Sequence, residues 1–149
     1  MLPPSDNFSP SMALTLAFAL ALVTGLAVKF WLATRQIRHV AQHRDAVPTP
    51  FNGRITLAAH QKAADYTITK ARLGMLEMAL GCVVLLGWTL LGGLDALNQA
   101  LLALLGAGGM WQQLALLTLF AAITGLIDLP LSLYQTFVVE QRFGFNKMT

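Results

Sequence analysis

Residues 57–94 read LAAHQKAADYTITKARLGMLEMALGCVVLLGWTLLGGL, and how this stretch is read decides the fold. From Leu57 no proline interrupts the chain until Pro130, and no glycine until Gly74. In the first half Leu57, Ala64, Ile68 and Ala71 share one helical face, while Lys62, Asp65 and Thr69 lie elsewhere, an amphipathic pattern. The second half, Leu73 to Leu94, holds a single charge, Glu77. It is long enough to cross a bilayer, which takes about 20 residues for a ~30 Å hydrocarbon core. Thr56 stands where a hydroxyl can accept from an unpaired backbone N–H at a helix start. The stretch predicts one helix over about 57–91, ~50 Å long at ~1.5 Å per residue, half inside a membrane and half protruding from it.

Working outward, two further runs have the same length and apolarity, Met12 to Ala33 and Leu114 to Tyr134. Hydrophobic residues make up 56% of the chain and charged ones 11%, against roughly 25% charged in soluble domains. With a mean hydropathy of +0.61, a soluble globular protein is excluded. The first run is not a cleavable signal peptide, because positive charge precedes the apolar core of such peptides. Here MLPPSDNFSP carries none, and Lys29, Arg35, Arg38 and Arg44 come late in the run or after it.

The placement of charge matters more than the net +3. All ten Lys and Arg residues fall between Lys29 and Arg72 or at Arg142 and Lys147. By the positive-inside rule the N-terminus is outside, residues 35–72 and the C-terminus are cytosolic, and the second loop is outside. A basic loop flanking a membrane run is a topology signal, so no nucleic-acid partner is expected. The partner implied is the lipid bilayer, whether a bacterial inner or plasma membrane or a eukaryotic endoplasmic-reticulum type. Ala13, Ala17, Ala21 and Gly25 line one face of the first run, where another helix could approach closely.

Residues 35–56 read as the cytosolic connection, punctuated by Pro48, Pro50 and Gly53. Between the second and third spans, Asp95 is expected to cap a short helix with Leu97, Leu101, Leu104 and Leu105 on its apolar side. Gly106, Gly108 and Gly109 end it, and Trp111 beside it suits the membrane interface. This segment is too short to span and is read as interfacial. The third helix should run over about 111–140 with a kink at Pro130, whose ring and missing N–H disturb the preceding turn. The fold class is thus an all-α membrane protein forming one domain over 1–149. It has three transmembrane helices, a long cytosolic extension of the second, and a short interfacial helix between the second and third.

Few residues offer chemistry. His39 and His43 share a helix face at the spacing zinc proteases use, but Val40 occupies the place of the general-base Glu, and no H-E-x-x-H occurs anywhere. His60 is seventeen residues further on, past Pro48 and Pro50, and no sequence feature joins it to the other two. The lone Cys82 reads as an apolar packing residue. Glu77 and Asp128 lie inside spans, where a carboxylate costs about 2.5–3.5 kcal/mol and usually faces a polar cavity. They are the candidate chamber-lining residues. The exit of the third helix is built from Glu140, Arg142, Phe143, Gly144, Phe145 and Asn146, with Gly144 supplying a left-handed turn.

Two segments taken together resemble a known family. They are TPFNGRITLAAHQKAADYTITKARLG, Thr49 to Gly74, and LPLSLYQTFVVEQRFGFNKMT, Leu129 to Thr149. Pro50-Phe51, Ile55-Thr56-Leu57, Lys62 to Tyr66, Lys70, and Leu129-Pro130 through Phe145-Asn146 resemble the N-terminal domain of the CAAX prenyl protease 1 family. Those proteins are integral-membrane zinc metalloendopeptidases. The resemblance implies seven membrane helices around a water-filled chamber in the full family, with zinc held by two histidines and a glutamate from later helices. In the full family the substrate would be a peptide or a prenylated protein. This chain then supplies the first three spans and part of the chamber. It lacks the H-E-x-x-H segment, so neither catalytic nor metal residues carry over. The resemblance further implies a fragment or truncated product, inactive alone, whose partner is the remaining C-terminal catalytic part. A stand-alone three-helix membrane scaffold or regulator is the alternative.

Overall fold

Pro10 stands at the first helical position behind Ser9, whose Oγ accepts from the backbone N–H of Met12 at 3.3 Å. Its fixed φ and missing N–H suit that place, and the helix it opens, α1, runs Pro10–Gln42. The computed structural model describes residues 9–51, 53–106 and 109–144. α1 does not end near the expected membrane boundary at Ala33. It takes in the first half of the segment read as a connection, because no proline or glycine intervenes before Pro48.

The chain then turns through a short 3-10 helix, Thr49–Phe51, and Thr56 caps α2, Leu57–Thr89. Thr56 Oγ1 accepts from the Ala59 N–H at 3.2 Å, and the helix is unbroken from Leu57 past Lys70, as the sequence predicts. α2 stops two residues short of the expected Leu91. Gly92 follows in the left-handed region, φ +77°, and a Cβ on Gly93 would lie 2.8 Å from the Gly87 carbonyl oxygen. Only glycine fits this tight reversal.

The reversal corrects the expectation for Asp95. Gly92, not Asp95, is the N-cap of α3, Gly93–Leu105. Asp95 sits inside the first turn, where its charge offsets the helix dipole, and it accepts from Gln99 Nε2 at 3.2 Å. Two adjacent glycines let the helix begin before the acid is reached. Gly106, φ +80°, ends α3, while Gly108 lies outside the described residues. α4, Met110–Tyr134, contains Pro130 and passes without a break into a π-helical segment, Gln135–Glu140. Together these cover the helix expected over 111–140. π-turns are rare and local, and here the widened register follows one turn after the proline that removes an N–H from the ladder.

α1 packs along α2, which also meets α3 and α4, and α3 pairs with α4. Three of these helices are long and apolar enough to cross a membrane. Their large side chains point outward: Leu14 is 72% exposed and Leu117 66%. Such surface is intolerable in water over this extent and suits lipid. Within the spans Trp88 Nε1 donates to Thr124 Oγ1 at 3.2 Å and meets the Phe120 ring edge-on. Ala21 and Gly25 of the small-residue face line a cleft opposite Gly81 and Cys82, so part of that face does receive a neighbour. The buried cluster among the described residues lies elsewhere. Leu73, Val139 and Phe143 pack with Tyr66 and Leu131, joining the middle of α2 to the exit from α4.

Candidate functional site

The basic residues gather at one end of the helices, and the turn between α1 and α2 organises them. Arg44, just past α1, donates from Nε to Asp65 Oδ1 at 2.7 Å and from Nη2 to Oδ2 at 2.9 Å. A planar guanidinium matches a carboxylate in this two-pronged way, which fixes orientation as well as distance. The Arg44 hydrogen bond holds the Asp65 carboxyl below its ordinary range, partial desolvation opposes it, and the charges of Arg44 and Arg142 add to it. Asp65 reciprocally raises the Arg44 guanidinium. Asp45 accepts from Gln61 Nε2 at 3.0 Å and lies 3.4 Å from Arg44 Nη1, a second tie across the turn.

Next to this pair is a recess of about 620 Å3 lined by Arg44, Lys62, Asp65, Arg72, Arg142 and Phe143, among others. It brings the helix exit against α2. The Phe143 ring meets Tyr66 edge-to-face at 5.5 Å, and Gly144, φ +69°, turns the chain away. Lys62 Nζ lies 3.5 Å from where a Cβ on Gly144 would stand. Glu140 is half-buried in the π-segment and Arg142 exposed, its guanidinium 6.0 Å from the Phe143 centroid. Phe145 and Asn146 lie outside the described residues.

A second recess, about 260 Å3, corrects the expectation for His60. The α1–α2 turn brings it beside His39 and His43, all three lining one cleft. His60 Nε2 donates to the His43 carbonyl at 2.9 Å, and His43 Nδ1 to that of His39 at 2.8 Å. Zinc chemistry does not fit these residues. Hydrolysis takes three converging ligands and a base. No carboxylate lines this cleft, and among the described residues no three His, Cys, Asp or Glu side chains are grouped to hold a metal. A further recess, about 990 Å3, is lined by α1 residues alone and is a helix flank.

Glu77 and Asp128 are both exposed on their spans, and among the described residues neither has a hydrogen bond or ion pair. The structure does not bring them to the basic recess. Sequence reading missed the Arg44–Asp65 tie. Its trace was an opposite-charge pair on either side of a proline-punctuated turn.

Comparison with known proteins gives a consistent result. A family model described as CAAX prenyl protease N-terminal, five membrane helices, matches residues 36–149. Among curated relatives, a CAAX prenyl protease 1 homolog of Caenorhabditis elegans is 28% identical over 146 residues, 89% of this chain and 29% of that protein. The homolog of Oryza sativa is 28% identical over 134 residues, 74% of this chain and 28% of its own length. CAAX prenyl protease 1 of Saccharomyces cerevisiae is 53% identical over 38 residues, 26% of this chain and 8% of that protein. The chain thus spans under a third of the length of these relatives. No solved structure matches.

Proposed function

The chain belongs to the CAAX prenyl protease N-terminal family, and from that premise we propose that it is the membrane-embedded N-terminal part of a zinc metalloendopeptidase, walls part of the substrate chamber, and is inert by itself. The supporting observation is where the family-like residues meet. Leu73, Val139 and Phe143, which form the buried cluster, and Tyr66 and Leu131, which pack against it, all fall in the two segments that carry the resemblance. Those segments build a rigid joint between α2 and the α4 exit, while the histidines and the membrane carboxylates stay apart. This chain supplies architecture, and the zinc-binding part supplies the chemistry.

The long protruding half of α2 lies on the cytosolic side in this reading, and α3 at the outer interface. Glu77 and Asp128 face the polar chamber, which relieves the cost of two unpaired carboxylates within apolar spans. The peptide or prenylated protein to be cut would enter between these spans and the helices of the catalytic part.

The test is reconstitution. The purified chain is assayed for zinc and for chelator-sensitive peptidase activity, alone and with the separately produced remainder of the C. elegans relative. Activity is expected only in the mixture, and Asp128→Ala in this chain should lower it. One equivalent of zinc with proteolysis in the chain alone, lost on His39→Ala with His43→Ala, would refute its inertness. Failure to associate with the catalytic part would instead favour an independent scaffold.

A further inference from the structure

The recess between α2 and the α4 exit has a charge excess that its own ion pairs do not consume. Four cations line it, Arg44, Lys62, Arg72 and Arg142, against one carboxylate, Asp65. Asp65 already has both oxygens engaged by Arg44, and Asp45 at the rim is engaged by Gln61 and Arg44. Lys62, Arg72 and Arg142 make no ion pair among the described residues; Arg142 lies against the Phe143 ring, and its charge reaches Asp65 without a direct bond. Like charges brought to one hollow repel unless an anion joins them. The hollow is about 620 Å3, large enough for a phosphate and its substituents.

Its position selects the kind of anion. Arg72 immediately precedes Leu73, where the apolar run of α2 begins. One turn further along the same helix face stands Leu76, 62% exposed, and one turn before Arg142 stands Val138, 46% exposed. The cations therefore sit directly above outward-facing aliphatic surface. A soluble phosphate would use the cations and leave that surface idle. A phospholipid uses both, with its phosphate among the guanidinium groups and its acyl chains along α2 and α4. Basic pockets at the membrane-facing ends of helices are a recurrent design for anionic headgroups.

We propose that the recess bounded by Lys62, Arg72 and Arg142 is a binding site for the phosphate headgroup of an anionic phospholipid. Arg72 and Arg142 approach the phosphate from the two helices, Lys62 closes it from above, and Asp65 orients Arg44 at the back wall. Bound lipid would bridge α2 and the helix exit and strengthen the Tyr66–Phe143 joint. The site would hold lipid whichever reaction the assembled protein catalyses.

The test is native mass spectrometry of the purified chain released from nanodiscs of phosphatidylcholine containing one-fifth phosphatidylglycerol, with circular dichroism confirming helicity. The wild-type chain should retain phosphatidylglycerol in preference to phosphatidylcholine. Arg72→Gln with Arg142→Gln should reduce that preference about thirtyfold, from the loss of two surface cations. Arg35→Gln with Arg38→Gln, outside the recess, should leave it intact. If the first pair fails to fold, Lys62→Gln, at an exposed position, should still weaken retention severalfold. Equal loss in the two double variants, or no lipid preference in the wild type, would overturn the site. Inorganic phosphate that binds without any lipid preference would also overturn it by naming a soluble ligand.

Discussion

Asp65 accepts from Arg44 with both carboxylate oxygens, at 2.7 and 2.9 Å, and so ties the end of α1 to α2 two turns past its start. The pair has a defined pH signature. Because the Asp65 carboxyl is depressed, its contribution is fully present above the ordinary value of 3.8 and is lost as pH falls through the lowered one. Arg44 is raised above the ordinary guanidinium value, so its contribution is present below that value and is lost only as pH climbs through the raised one. Spin labels at Gln42 and Ala59 should keep one distance from pH 5 to 9 and separate only in stronger acid. Asp65→Asn should broaden the distance at pH 7, and exchanging the two residues, Arg44→Asp with Asp65→Arg, should restore it. An opening transition at neutral pH would not come from this pair.

The α2–α4 joint should be the least replaceable part of the molecule. Phe143 is 9% exposed and closes a cluster with Val139, Leu73 and Tyr66. Phe143→Ala removes a buried ring and should cost about 3 kcal/mol, whereas Phe143→Leu keeps most of the volume and should cost about 1 kcal/mol. Gly144→Ala places a Cβ at φ +69°, close to Lys62 Nζ, and should cost about 1–2 kcal/mol. Reversible unfolding in mixed micelles would rank the three. A cheaper Phe143→Ala than Phe143→Leu would mean that the ring is not packed as described.

The proposed sidedness, with the basic end cytosolic, rests on charge. In a Cys82→Ala background, a cysteine at Arg54 should react with an impermeant thiol reagent only from the cytosolic side, and one at Gln99 only from the opposite side. Both positions are exposed, so labelling reports sidedness rather than burial. Reaction of both from the same side would invalidate the three-span topology.

The spans were readable because runs such as Met12 to Ala33 combine length with apolarity, a signal that survives any packing arrangement. The start of α2 was readable because Thr56 carries a hydroxyl at a helix edge. The extension of α1 to Gln42 was missed because Arg35, Arg38 and His39 make the segment polar, and polarity resembles a loop even where no residue breaks a helix. Arg44 and Asp65 are 21 residues apart, and their meeting depends on the turn through Thr49–Phe51, whose geometry no local pattern encodes. Val138 is 46% exposed and Val139 2%, though the two are chemically identical neighbours. Which one is buried depends on the π-register after Pro130, and that register has no side-chain signature of its own.

The contact of Trp88 with Thr124 tests whether α2 and α4 meet inside the membrane as well as at the basic end. Trp88 Nε1 donates to Thr124 Oγ1 at 3.2 Å, and its ring lies edge-to-face with Phe120 at 5.1 Å. Lipid tails are as apolar as the side chains, so burial alone drives little helix association, and such directed contacts decide which faces pair. Thr124→Val removes the acceptor at nearly constant shape, and Trp88→Phe removes the donor while keeping a ring. Each single variant should lose the hydrogen bond, and the double variant should lose little more. The coupling from such cycles in membrane proteins averages about 0.6 kcal/mol, and that is the value expected here. Phe120→Leu should act on the same face and add about 0.5–1.5 kcal/mol through the aromatic contact. Strict additivity of Thr124→Val and Trp88→Phe would show that these side chains do not touch. The Trp88–Phe120 contact would then be what joins the two helices at this level, apart from the cluster at the basic end.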